Sequence, residues 1–189
     1  KRDDPGSTWL TAFVAKSFQR ASKFISIEPK AVDDALKFLN SSQAIDGSFI
    51  ENGTVILKAM QGGSSQGIAL TAYCLTAFLE MNEKHREKYR KAIGKALNFV
   101  VENLDKIEDD YSMAIVAYAL KLAKHSKLNE FLDKLSQNMN NFWKNKNSTG
   151  NVAIEMASYA LLALTERDSD AMMIMKWLIS KRNKMGGFK

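Results

Sequence analysis

One short phrase recurs along this chain and restricts what it can fold into. Thr71-Ala-Tyr-Cys-Leu75, Val116-Ala-Tyr-Ala-Leu120 and Ala157-Ser-Tyr-Ala-Leu161 share small–Tyr–x–Leu in one register. Tyr73, Tyr118 and Tyr159 stand 45 and 41 residues apart, about the length of a helical hairpin repeat. Trp9-Leu-Thr-Ala-Phe13 reads as a degenerate earlier copy. Segments carrying the phrase are apolar around most of their circumference, as helices with neighbours on both sides must be. The alternate segments carry a single apolar stripe. In 84–104, Ile93, Leu97 and Val100-Val101 share one face, and Lys84, Lys88, Lys91 and Lys95 the other.

Apolar residues at three- and four-residue spacing predict helices over 8–24, 29–41, 66–82, 84–104, 110–125, 127–143, 151–167 and 169–183. The two prolines, Pro5 and Pro29, fall near segment starts, where proline is tolerated. Ser7-Thr8, Asp109-Asp110 and Asp168-Ser169 are expected to offer side-chain oxygens to the unpaired amides of first turns. No segment reads as sheet, so the class is all-α. A second phrase also recurs at equal spacing: Phe38-Leu39 then Gly47-Ser-Phe49, and Trp177-Leu178 then Gly186-Gly-Phe188. Buried inner helices alternating with half-exposed outer ones favour a closed α/α toroid of stacked helical hairpins. An open solenoid would need polar caps at its ends.

The 189 residues suit one domain or most of one. Lys1-Arg2-Asp3-Asp4 lacks an initiator methionine, and the chain stops straight after the Gly186-Gly187 turn signal. Both ends read as cuts in a longer polypeptide, so residues 1–189 are expected to be a fragment of a single domain, with the ring incomplete. No run of about 18 apolar residues argues for a membrane-spanning helix. The formal charge is +6, yet the basic residues are dispersed among 21 acidic ones. Even the densest group, His85 to Lys91, is interrupted by Glu87, as on a solvated helix face. With no aromatic-rich strands and no recognition helix, nucleic acid is not an expected partner.

The chemistry-bearing residues are few. Asp33-Asp34 and Asp109-Asp110 are paired acids, but neighbours on a helix diverge by about 100°, so such pairs rarely converge on one substrate. Placement in a first turn, where acids complement the dipole, is the expected role of both. Cys74 lies within an apolar phrase and reads as a small buried hydrophobe. His85 and His125 are read at polar helix ends, His125 suiting a C-terminal dipole. These do not make up a metal-ligand set, and no cofactor is expected. Gly62-Gly-Ser-Ser-Gln-Gly67 lacks the Lys-Ser/Thr ending of a phosphate loop and follows no strand, so it reads as a sharp turn into a helix. Met172, Met173 and Met175 are expected in the core, with a peptide-binding methionine surface as the alternative. Asn40, Asn52 and Asn147 head glycosylation sequons, compatible with a secreted, extracellular protein.

The polar, glycine-punctuated loop from Asp46 to Gly63 is the strongest functional candidate, because such loops carry chemistry on rigid scaffolds. Together with Gly6–Val14, Leu70–Tyr73, Ala157–Leu164 and Trp177–Phe188, taken in order, it resembles the thioester domain of the complement/alpha-2-macroglobulin family. The resemblance is closest to invertebrate, insect-type thioester-containing proteins of innate immunity, and it covers nearly the whole chain. It implies an α/α toroid and a non-enzymatic part in covalent tagging. Family members hold an internal thioester between Cys and Gln of a Gly-Cys-Gly-Glu-Gln motif and acylate hydroxyls or amines on nearby surfaces once activated by proteolysis. That motif is absent here and would fall upstream of Lys1. Matching Val55-Ile56 and Met60…Gly62-Gly63 to the family loop puts the catalytic histidine of complement-type members at Leu57. Glu51 and Lys58 border that position without being evident substitutes for the base.

The resemblance implies as partners the other domains of a parent protein and microbial or cell surfaces. Within the family, a protease-trapping inhibitor of the alpha-2-macroglobulin type is a second reading, with proteases as partners. A toroid scaffold without a thioester is a third. A terpenoid cyclase, prenyltransferase or glycosidase on the same toroid would need convergent acids or metal ligands that the sequence does not assemble.

Overall fold

The computed structural model describes residues 5–144 and 150–188. Nine α-helices and two short 3₁₀ turns are present among them, and the one β feature is an isolated bridge between Gln43 and Phe49. The all-α expectation holds. The helices group into two compact units, Lys1–Lys106 and Ile107–Lys189.

The first unit holds α1 (Thr8–Ala21), α2 (Pro29–Ser41), α3 (Gly67–Leu79), α4 (Glu83–Lys88) and α5 (Arg90–Glu102). α1 pairs with α2 and α3 with α5, and α1 packs on α3, giving two stacked hairpins. Every residue of α3 from Ala69 to Phe78 is buried, as its apolar circumference demands. The Trp9 indole stacks on the Tyr73 ring at 5.6 Å, so the degenerate copy of the phrase meets a full copy. Beneath them lies a buried polar tie that the sequence did not announce. Lys16 Nζ stands 3.2 Å from Glu80 Oε1, donates to Thr76 Oγ1 and lies over the Tyr73 face, while Arg20 donates twice to Glu80 Oε2. Burial holds the Lys16 ammonium below the ordinary lysine range, against the pull of Glu80.

The single helix expected over 84–104 is broken in two. Tyr89 (φ −105°, ψ 17°) ends α4 and begins α5. Its ring is buried 5.5 Å from Phe78, and the Lys88 ammonium lies over it. The backbone yields to bury that ring.

The second unit holds α6 (Asp110–Leu122), α7 (Leu128–Lys144), α8 (Asn151–Leu164) and α9 (Asp168–Ser180). It repeats the plan: α6 pairs with α7, α8 with α9, and α6 packs on α8. Tyr118 and Tyr159, the repeated tyrosines, meet at 6.0 Å, and Tyr111 packs edge-on to Tyr159. Ser7 and Asp109 cap α1 and α6 as expected, accepting from Leu10 N and Ser112 N. Asp168 does not cap: it is the first residue of α9, where it joins Asp170 in the positive end of the dipole. The methionines also depart from expectation. Met172, Met173 and Met175 are 46%, 39% and 41% exposed, because Ile174 and Trp177 take the inward face of α9.

Candidate functional site

The loop joining α2 to α3 is fastened to the start of α1 by one carboxylate. Glu51 accepts from Ser7 Oγ (3.0 Å), Thr8 N (2.8 Å), Trp9 N (3.0 Å) and Gly53 N (3.1 Å). Ser7 Oγ accepts from Leu10 N, and Thr11 N donates to Ser7 O. The Thr8, Trp9 and Leu10 amides, which open the helix without intrahelical partners, are thereby satisfied, two of them by a residue more than 40 positions away. A carboxylate suits the positive end of the dipole there. The close approach requires glycine at 53, since a Cβ would lie 2.4 Å from the Gly6 carbonyl carbon.

Further ties make the loop a fixed element. Thr8 Oγ1 donates to Ile50 O, Phe49 N donates to Thr71 Oγ1, and Trp9 Nε1 donates to the buried Ser64 Oγ. Val55 is buried, anchoring the segment from within. Beyond it the chain emerges. Ile56 and Leu57 are 84% and 64% exposed, and a 3₁₀ turn over Lys58–Gln61 follows, with Met60 N donating to Leu57 O. Gly62 (φ 52°) and Gly67 (φ 62°) then turn the chain into α3, as the glycine spacing predicts. Leu57 is an apolar side chain presented to solvent at the crest of a pinned loop.

The remaining candidates lie apart from this crest. Asn40, at the end of α2, and Asn52, in the loop, are both exposed; Asn147 lies outside the described residues. Cys74 is buried in the middle of α3, where burial pushes its thiol far above the ordinary range and denies it a thiolate at neutral pH. Asp33-Asp34 was expected in a first turn but falls in the second turn of α2. Asp33 instead bonds His85 Nε2 at 2.9 Å, with Lys88 at 3.6 Å, tying α2 to α4 and holding its carboxyl below the usual range. Asp109 caps α6, while burial, with the Asp109 charge second, raises the Asp110 carboxyl. His125 follows the end of α6, its Nδ1 accepting from Lys127 N. Among the described residues no three His, Cys, Asp or Glu side chains could hold a metal ion together, and no helix is long and apolar enough to cross a membrane.

The family model of the A-macroglobulin TED domain matches residues 2–189. Thioester-containing protein 1 allele S3 of Anopheles gambiae is 40% identical over 192 residues, covering 96% of this chain and 14% of that protein. Ovostatin of Gallus gallus is 32% identical over 211 residues (99% of this chain, 14% of the relative). A.superbus venom factor 2 of Austrelaps superbus is 34% identical over 186 residues (93% and 11%). The chain thus spans about a seventh of the length of the relatives it matches.

Proposed function

The chain belongs to the alpha-macroglobulin thioester-domain family, and from that premise we propose that it serves a secreted, opsonin-like protein of innate immunity. In this reading the parent protein marks microbial surfaces covalently. The reactive Cys–Gln bond lies outside these residues, and Leu57 occupies the place of the complement-type histidine. The observation that carries the proposal is the exposure of Leu57 on a loop that Glu51 pins to α1.

The chemistry follows from what leucine lacks. An imidazole there would attack the thioester carbonyl, giving an acyl-imidazole and a free thiolate that helps deprotonate an incoming hydroxyl. Leu57 has no lone pair and accepts no proton. Acyl transfer then requires direct attack by the acceptor. An amine adds to the carbonyl, the carbon–sulfur bond breaks, the amine gives up one proton, and an amide and a cysteine thiol result. Amines suffice as nucleophiles for this step at neutral pH, whereas carbohydrate hydroxyls and water are slow without a base. The domain acts once per molecule rather than turning over, prefers amines and outlasts solvent hydrolysis.

The test uses the activated full-length parent with labelled methylamine and labelled glycerol. Methylamine should be incorporated and glycerol scarcely, with Leu57→His raising glycerol incorporation. Efficient ester formation by the unaltered protein would sink the reading. Failure to take up methylamine would mean a scaffold without an acyl bond.

A further inference from the structure

A recess of about 610 Å³ lies in the second unit, where α6 ends, α7 begins and α8 ends. That volume falls within the range of small-molecule sites. Its apolar part comes from Leu122, Leu128 and Leu162, and its polar part includes Lys121, Lys124 and His125 beside the neutral Ser126 and Asn129, with Tyr118 alongside. Glu166 is the one acid among the lining residues; its side chain is 87% exposed and stands 3.5 Å from Lys121 Nζ, which also donates to Thr165 Oγ1.

Lys124 is the unusual member. It is the one non-glycine residue with positive φ (51°) among the described residues. Lys124 N donates to Lys121 O and His125 N to Leu120 O, the paired bonds of a Schellman motif. The left-handed position of that motif is ordinarily glycine, because a Cβ there is strained. The fold tolerates the strain and sets a lysine among the residues that line the recess. No ion pair engages Lys124 among the described residues. His125 supplies a second donor: Lys127 N bonds to Nδ1, which leaves the proton on Nε2.

We propose that this recess binds a small organic anion, a carboxylate or phosphate monoester on a short apolar stem. The charged group lies against Lys124 and His125 and the stem against the leucines. Neither residue belongs to the Leu57 loop, so the site stands or falls apart from the acyl-transfer reading.

Phenyl phosphate is the probe, titrated into the whole chain and followed by backbone amide NMR. The expected result is saturable shifts centred on Lys124–Asn129 and on Leu162, with neutral phenyl glucoside and inorganic phosphate each at least about tenfold weaker, about 1.4 kcal/mol. Lys124→Gly separates binding from folding, since it removes the charge and relieves the left-handed strain. It should hold or raise Tm while weakening phenyl phosphate at least about tenfold, and His125→Ala should weaken it further. Unchanged affinity in Lys124→Gly, shifts centred elsewhere, or no saturation by about 20 mM would each overturn the proposal.

Discussion

After α2 and again after α9 the chain makes the same turn, and the two copies differ in what lies against them. Ala44 N donates to Ser48 O and Asn183 N to Gly187 O; Gly47 N donates to Ala44 O and Gly186 N to Asn183 O. Gly47 and Gly186 have φ of 92° and 84°. Gln43 Nε2 donates to Gly47 O, and Arg182 Nε donates to Gly186 O. Yet the first copy is docked: Gln43 also reaches Ala92 O on α5, and Phe49 is buried 6.3 Å from Phe78. In the second copy Phe188 is 48% exposed. The repeated phrase therefore encodes the turn, and the contacts with α5 and Phe78 bring the first copy into a core.

The phenylalanines offer the largest test of that distinction. Phe49→Ala should cost about 3–5 kcal/mol, the range for a buried aromatic, while Phe188→Ala should cost under about 1 kcal/mol. Denaturant unfolding of both variants measures it. Equal costs would mean the docking of the first turn contributes nothing to the fold.

The glycines sharpen the same contrast. Alanine at either position meets a left-handed backbone, at about 1–2 kcal/mol. At Gly47 the new Cβ would also lie 2.2 Å from the Lys95 carbonyl oxygen, whereas at Gly186 it meets only the movable end of Arg182. Gly47→Ala should therefore lose about 2–4 kcal/mol and Gly186→Ala about 1–2 kcal/mol by the same measurement. A Gly186 variant as damaging as the Gly47 one would show that strain alone sets the cost.

The inner helices that open these two hairpins also start differently. α1 begins on the Glu51 carboxylate, and α8 begins after Gly150 with no side-chain cap. Glu51→Gln keeps the shape and removes the charge, so α1 should loosen by about 1–2 kcal/mol. Faster amide exchange at Thr8 and Trp9, with α8 unaffected, is the expected signature. Unaltered exchange at Thr8 would separate the loop from the helix start.

These contrasts mark what the sequence discloses. The hairpins were legible because helical periodicity and the caps at Ser7 and Asp109 are local, and the recurring Gly47 and Gly186 phrase was legible for the same reason. Three features were not, and each depends on a distant partner. The Glu51 clamp joins residues more than 40 apart, so an acid in a polar loop looked like a bystander to Leu57. The break at Tyr89 comes from its ring packing on Phe78, against a periodicity that runs through it unchanged. The outward methionines of α9 follow from Ile174 and Trp177 having filled the inward face, a competition that hydropathy alone does not rank.

The smallest effect is the most discriminating, because it isolates the turn itself. If a side-chain bond from the residue before the turn to the glycine carbonyl closes both copies, removing it should weaken both. Arg182→Ala deletes one exposed bond, and about 0.5 kcal/mol or less is expected where water replaces the donor. Gln43→Ala deletes that bond and the bond to Ala92 O in a half-buried setting, so about 1–2 kcal/mol is expected. Restoring only the turn-closing donor, with Gln43→Arg, should recover less than half of the loss, since the α5 carbonyl stays unpaired. Full recovery would place the stabilisation in the turn and not in its docking, and the contrast between the two copies would then rest on Phe49 alone.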